Sequence, residues 1–338
     1  MLEAAPDICD CTWQFGIMMK DLNYYIKSFA NLKVDRASGT PAPHQPILLL
    51  SVIEQFERGK IRHNQIYLTP ELIATFLKYW SNLVTTDHHS DISLPFFHLA
   101  GKKKIKFWHL MPNPGFEAVI ESGTKIRGLA ALRNTVKYAY LDTELCEYLQ
   151  NASSRLKLSE VLVRSWFSAE SQQVEKLYAV DELEEIQLRL FEKGGAVYTV
   201  EDIKDQETTF VRNAAFRRNM ISLYEQRCTL CRLKIVSRDN QNVVDGAHIK
   251  PFSEFRDDRL DNGLSLCKNH HWAFDRGWFG ISDKYRIIVP DGRLYEETPR
   301  DMRSLQDFDD ELILLPNQEI YNPRVDALQW HRSFWKIA

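Results

Sequence analysis

The sequence predicts an α+β protein in two parts. The first is mainly helical with a small β hairpin; the second is a compact unit of two strands and a helix stapled by zinc. Three observations predict this. Cys228-x-x-Cys231 is followed, after a long loop, by Cys267-x-x-His270, and two ligand pairs at this spacing suit one tetrahedral Cys3His site. Apolar residues recur at helical spacing through much of the first half. A chain of 338 residues with 44% hydrophobic content can fill the cores of two domains, or three.

Composition narrows the classes. A net charge of −3 argues against extensive non-specific nucleic-acid binding, so any basic surface is local. Six cysteines, three of them in the zinc set, point to a reducing compartment rather than a disulfide framework. Cys9, Cys11 and Cys146 are left over. An apolar run of about 18 residues, as a membrane span needs, is absent, and acidic residues without a long apolar core near the start predict no secretory signal. The expectation is a soluble, cytoplasmic protein with no membrane partner.

Residues 1–18 carry little signal and read as an extension. Leu22, Tyr25, Ile26, Phe29 and Leu32 then mark a helix. Pro46 suits the first turn of the next one, Ile47 to Phe56, which is apolar on almost every side and therefore central. His44, just before it, sits where free backbone N–H groups bind anions. Residues 57–68 read as a turn and a short strand. Thr69 caps and Pro70 opens a helix that buries Leu72, Ile73, Phe76, Leu77, Trp80 and Leu83. Pro95-Phe96-Phe97-His98 follows a polar stretch. Lys102, Lys103, Lys104 and Lys106 beside Phe107 and Trp108 read as a basic hairpin near Gly101 that continues into residues 116–121. It suits either phosphate contact or a solvated turn.

Residues 123–139 read as a helix with a basic side, Asp142 as the cap of another helix over 143–151, and 157–167 as a further helical stretch. Residues 171–206 read as a polar helical connector with a boundary near Gly194-Gly195. Thr209 to Arg227 reads as an amphipathic helix that packs through Phe216, Met220, Leu223 and Tyr224. Its Arg212, Arg217 and Arg218 are available to DNA phosphates. The division is thus 1–18, 19–170, 171–206 and 207–338.

Interleaved with the zinc ligands is a second polar set. His248 lies in a short strand, and an imidazole can take a proton from water near neutral pH. Asp245 offers a carboxylate to a hard divalent cation. Asp261-Asn262-Gly263 is a turn signal. Leu264 to Phe274 reads as a helix carrying Cys267, His270 and His271. On it His271 and Asp275, four apart, share a face. His270 points about 100° away from His271, so one histidine can face the zinc and its neighbour another site.

The order His248…Asn262…His271 resembles the HNH (ββα-metal) nucleases in their zinc-stapled form. Asp-x-Ala-His-Ile, Asp-Asn-Gly-Leu-x-Leu-Cys and His-His-x-x-Phe-Asp are similar to the HNH domains of modification-dependent restriction enzymes. The resemblance implies that His248 is the general base, and that Asn262 holds the loop of the base or touches the metal. It implies that His271, with Asp245 or Asp275, binds a single catalytic Mg²⁺ or Mn²⁺ that stabilises charge on the phosphate and the leaving oxygen. Zn²⁺ on Cys228, Cys231, Cys267 and His270 is then structural. Many relatives carry Asp or His directly before the base; here that residue is Ala247, and Asp245 is the substitute.

Residues 20–170 resemble the sulfur-binding domain of restriction enzymes that recognise phosphorothioated DNA. The likeness rests on Pro43-His44-x-Pro46 before a leucine-rich helix, on Pro95-Phe96-Phe97-x-Leu99 and on Phe107-Trp108-x-Leu110. It implies a mainly helical DNA-recognition domain with His44, Gln45, Pro95 and His98 around a shallow, partly apolar pocket. Sulfur is larger and less strongly hydrated than oxygen, so a proline ring can favour it. The family often has a basic residue in place of Gln45 and an aromatic in place of Leu94. Lys102, Lys103, Lys104, Arg217 and Arg218 complete the expected DNA contacts.

The expectation is a restriction endonuclease that recognises phosphorothioated double-stranded DNA and hydrolyses it at a single-metal HNH site. A duplex cut needs two active sites or two visits, so a homodimer is expected. Two alternatives stand beside it: an HNH nuclease dependent on methylated or otherwise modified bases, and a zinc-stabilised DNA-binding protein without cleavage.

Overall fold

The computed structural model describes residues 20–37, 39–100, 107–122, 126–167, 177, 180–238 and 241–337. The expected extension, with Cys9 and Cys11, and the contacts of Lys102, Lys103 and Lys104 lie outside the described residues.

Helix α1 (Leu22–Ala30) starts where the Asp21 side chain accepts the Tyr24 N–H. Helix α2 (His44–Glu57) is buried from Pro46 to Phe56, as its all-round apolar sequence predicts. It also carries a charge inward. Glu54, 1% exposed, accepts from Lys78 Nζ at 2.7 Å and from Tyr79 Oη at 2.6 Å. Lys78 donates further to the carbonyls of Leu177 and Val180. Charges this deep persist only with such a full set of partners. Thr69 caps α3 (Pro70–Leu83) by accepting the Leu72 N–H, and α4 (Ser93–His98) follows.

The hairpin of this part differs from the expected one. Strand β1 (Trp108–Pro112) is followed by α5 (Glu117–Ser122), not by a partner strand. Its partner is β2 (Val136–Leu141), which lies beyond α6 (Leu129–Thr135) and pairs antiparallel from Trp108↔Leu141 to Pro112↔Val136. The expected helix over 123–139 therefore ends at Thr135. Beyond it, Val136, Ala139 and Leu141 are buried while Lys137 is exposed, and β-branched and aromatic residues suit a half-buried pleated surface. The strand expected in 57–68 reduces to a bridge between Ile66 and Ala139. Asp142 holds the N-cap position of α7 (Thr143–Gln150), but its carboxylate turns to Lys20, Tyr25 and His109 instead. Helix α8 (Ala152–Trp166) follows.

In the expected connector, α9 (Glu182–Glu192) packs on α3 and on α10 (Gln206–Leu223). Leu183 and Leu190 are its buried side, so this stretch is more than a solvated face. Helix α10 then lies across strand β3 (Val244–His248), which pairs antiparallel with β4 (Gly263–Cys267) from Val244↔Cys267 to His248↔Gly263. The approach is close: a Cβ on Gly246 would lie 2.7 Å from the Arg217 Cα.

Helix α11 (Phe252–Phe255) sits in the loop between these strands, and α12 (Lys268–Phe274) follows β4 directly. The helix expected from Leu264 thus begins only after Cys267, because Gly263 to Cys267, all buried, pair with β3. Strands β5 (Gly280–Ile281) and β6 (Ile287–Ile288) form a last hairpin, and α13 (Val325–Trp335) ends the chain. The fold is α+β with small antiparallel hairpins. No helix among the described residues is long and apolar enough to cross a membrane.

Candidate active site and metal centre

The four expected zinc ligands come from two places that the hairpin brings together. Cys228 and Cys231 follow the end of α10, Cys267 ends β4, and His270 lies in the first turn of α12. Their donor atoms all lie within 4.8 Å of one another. His270 Nδ1 is 3.5 Å from Cys228 Sγ and 3.2 Å from Cys267 Sγ. Zinc bonds of about 2.0–2.3 Å in a tetrahedron need donors about 3.3–3.8 Å apart, so the set fits zinc. Hydrogen bonds among the crowded thiols drive Cys228 up and Cys267 down in pKa. A cation that binds thiolates relieves this competition.

His248 ends β3 and is fixed from two directions. Its ring stacks on Phe216 of α10, with centroids 3.9 Å apart and planes 5° from parallel. Its Nε2 lies 2.8 Å from Oδ1 of Asp258, a residue with no solvent exposure. The second Asp258 oxygen is buried without a hydrogen-bond partner. Asn262, also fully buried, laces the surrounding loops. Its Oδ1 accepts the Lys250 N–H, and its Nδ2 donates to the carbonyls of Lys250 and Asp257. Both amide protons are engaged, so the side chain ties the segment after His248 to the segment that carries Asp258.

On α12, His271 Nε2 is 3.5 Å from Asp275 Oδ2. Burial raises the Asp275 carboxyl above its ordinary range, opposed by the charges of His271, Arg276 and His248. Asp275 thus senses both histidines. Asp245 is engaged otherwise: Lys268 donates to it at 2.9 Å, and Arg217 Nε lies at 3.9 Å. Apart from the four zinc ligands, no trio of His, Cys, Asp or Glu among the described residues meets at metal-binding separation. His271 and Asp275 are the pair that would hold a catalytic divalent cation, supplying one imidazole nitrogen and one carboxylate.

In the N-terminal domain His44 opens α2. Its Nε2 hydrogen-bonds the His89 carbonyl at 3.0 Å and its ring lies 4.6 Å from that of Trp80. Burial holds its pKa down. Gln45 donates to the Lys33 carbonyl. His98 is exposed at the end of α4, while Pro95 is buried with Phe96 and Phe97, so Pro95 offers no open ring face. Of the arginines expected at DNA, Arg217 is half exposed beside Asp245, and Arg218 reaches across to Glu71 of α3 at 2.5 Å.

Sequence reasoning missed Asp258 and the role of Phe216 beneath the imidazole. The Asp257-Asp258 doublet, ten residues past His248 and shortly before Asn262, was the available signal.

Two families match the chain. Residues 228–282 match the HNH endonuclease family, and residues 23–178 match the family described as ScoMcrA-like, DNA sulfur-binding domain. Among solved structures, the chain is similar to the modification-dependent TagI restriction endonuclease. The identity is 24% over 37% of this chain and 38% of that one, with a TM-score of 0.27. The chain thus spans well under half the length of that protein. No curated protein matches.

Proposed function

We propose that this chain, which joins a DNA sulfur-binding domain to an HNH endonuclease domain, is a phosphorothioate-dependent restriction endonuclease acting as a homodimer on double-stranded DNA. The observation that carries the reading is the placement of His248, braced on Phe216 and Asp258, beside the His271–Asp275 pair in a unit whose four thiol and imidazole donors fit zinc. His248 accepts a proton from the attacking water as the water oxygen bonds to phosphorus. The phosphorus–oxygen bond to the departing sugar then breaks; that oxygen leaves with the electron pair and is protonated by solvent. Asn262 keeps the loops around the base in register. A Mg²⁺ or Mn²⁺ ion held by His271 and Asp275 would stabilise the negative charge that builds on the phosphate. The N-terminal domain selects the substrate, with His44 and His98 among the residues that meet it.

A matched pair of duplexes, one normal and one with a single phosphorothioate, tests both halves in a pool of sequence contexts with Mg²⁺ or Mn²⁺ present. Selective binding and cutting of the sulfur-bearing duplex is expected. Equal treatment of the two would remove the sulfur reading and leave the nuclease. The burial of Pro95 favours a second reading, in which the same nuclease answers to a modified base. Preferential cutting of a methylated duplex in that assay would establish it.

A further inference from the structure

We infer that Asp258 is the positioning residue that sets the proton on His248. The inference rests on the reading of His248 as the base. An ionised carboxylate can only accept hydrogen bonds. With Asp258 Oδ1 2.8 Å from Nε2, the neutral imidazole must carry its proton on Nε2, and Nδ1 is left with the lone pair that receives the proton of water. The Phe216 stack fixes the plane of the ring; the carboxylate fixes its rotation within that plane and its tautomer. As Nδ1 takes its proton, the imidazolium that forms keeps the Nε2–H bond to a negative partner in a site shielded from solvent, where the attraction is strongest.

The loop that carries this carboxylate is itself held by backbone. Asp258 N donates to the Ala196 carbonyl, Tyr198 N donates to the Arg256 carbonyl, and Leu260 N donates to the Gly194 carbonyl. Residues 194–198 thus clamp the loop 256–260. Gly195 makes the clamp possible. It has φ +97°, and a Cβ there would stand 2.3 Å from the Arg259 Cα and 2.4 Å from the Asp258 carbonyl oxygen. A stretch that reads as a linker in the sequence therefore supports the partner of the base.

The test uses the full-length zinc-loaded protein. Two-bond ¹⁵N–¹H spectra of labelled histidine in the parent should place the His248 proton on Nε2, and a proton on Nδ1 would overturn the inference even if no variant folds. Asp258→Asn is nearly isosteric but can present an amide donor to Nε2, which favours the wrong tautomer. It should lower kcat by about 10²–10⁴-fold with KM and zinc content unchanged, and shift the His248 ¹⁵N signature. Parent-like kcat in Asp258→Asn, with His248→Ala inactive, would also overturn it. Cleavage by His248→Ala would instead remove the assignment of the base, and the inference with it.

Discussion

The imidazole of His248 lies flat on the ring of Phe216, 3.9 Å away and 5° from parallel. One residue is at the end of a strand and the other in the middle of α10, so the helix serves as a floor for the base. Phe216 is fully buried. Phe216→Ala should cost about 3–5 kcal/mol. Phe216→Leu keeps most of the volume but frees the ring above it. For Phe216→Leu, single-turnover cleavage should fall at least tenfold while DNA affinity stays within twofold. Urea unfolding beside a binding titration checks both effects.

Zinc should hold the C-terminal unit together. Metal analysis should find about one zinc per chain. Cys267→Ser, or a strong chelator, should open residues 228–282 to proteolysis and abolish cleavage. Residues 20–167 contribute none of the four ligands, so they should stay protected and binding to modified DNA should survive.

Glu207, near the start of α10, is buried; one oxygen accepts the Ile92 N–H and the other has no hydrogen-bond partner. Burial pushes its carboxyl up to about 7 from an ordinary 4.5. The folded protein therefore keeps a proton that the unfolded chain releases. The stabilisation is fully present below about pH 4.5 and is lost as pH rises through about 7. Glu207→Gln keeps an acceptor for Ile92 and cannot ionise. It should match the parent most closely below about pH 4.5 and exceed it at pH 8 by up to about 3 kcal/mol, as read by urea midpoints at pH 4 and pH 8.

The Glu54–Lys78 pair, with Tyr79 on the same carboxylate, is the polar centre of the N-terminal core. Glu54→Ala leaves a buried ammonium without its counter-charge, and should cost about 3–5 kcal/mol. Replacing both residues with apolar side chains of similar volume should recover most of that loss. Thermal melts of the single and double variants give the comparison.

What the sequence made legible was what local spacing encodes. Cys228-x-x-Cys231 and Cys267-x-x-His270 announce their cluster because ligand spacing is short and chemical. The buried helix from Ile47 to Phe56 announces itself because it is apolar all round. The misread stretches were those decided by distant partners. Leu264 to Cys267 and Val136 to Leu141 run into or out of helices with no break in apolar pattern, and only pairing with β3 and β1 makes them strands. Asp258 was hidden for the same reason. Its meeting with His248 depends on a loop closed by residues 194–198, and on a glycine that read as part of a domain boundary. The burial of Pro95 depends on how α4 seats against α2, which no local pattern specifies.

Helix α10 touches both halves of the protein along one stretch of backbone. Glu207 receives an amide from the segment just before α4, Arg218 grips Glu71 on α3, and Phe216 between them supports His248. The reader and the cutter are therefore not interchangeable parts. A chimaera that fuses this nuclease to a foreign recognition module at Gly194-Gly195 would lose the acidic anchor for Arg218 and the amide for Glu207. It would also disturb the backbone clamp on Asp258. A transplant that respects the molecule has to carry α9, α10 and the α3 face they rest on, and because α3 precedes both in the chain, no single cut between Leu83 and α9 keeps the three together.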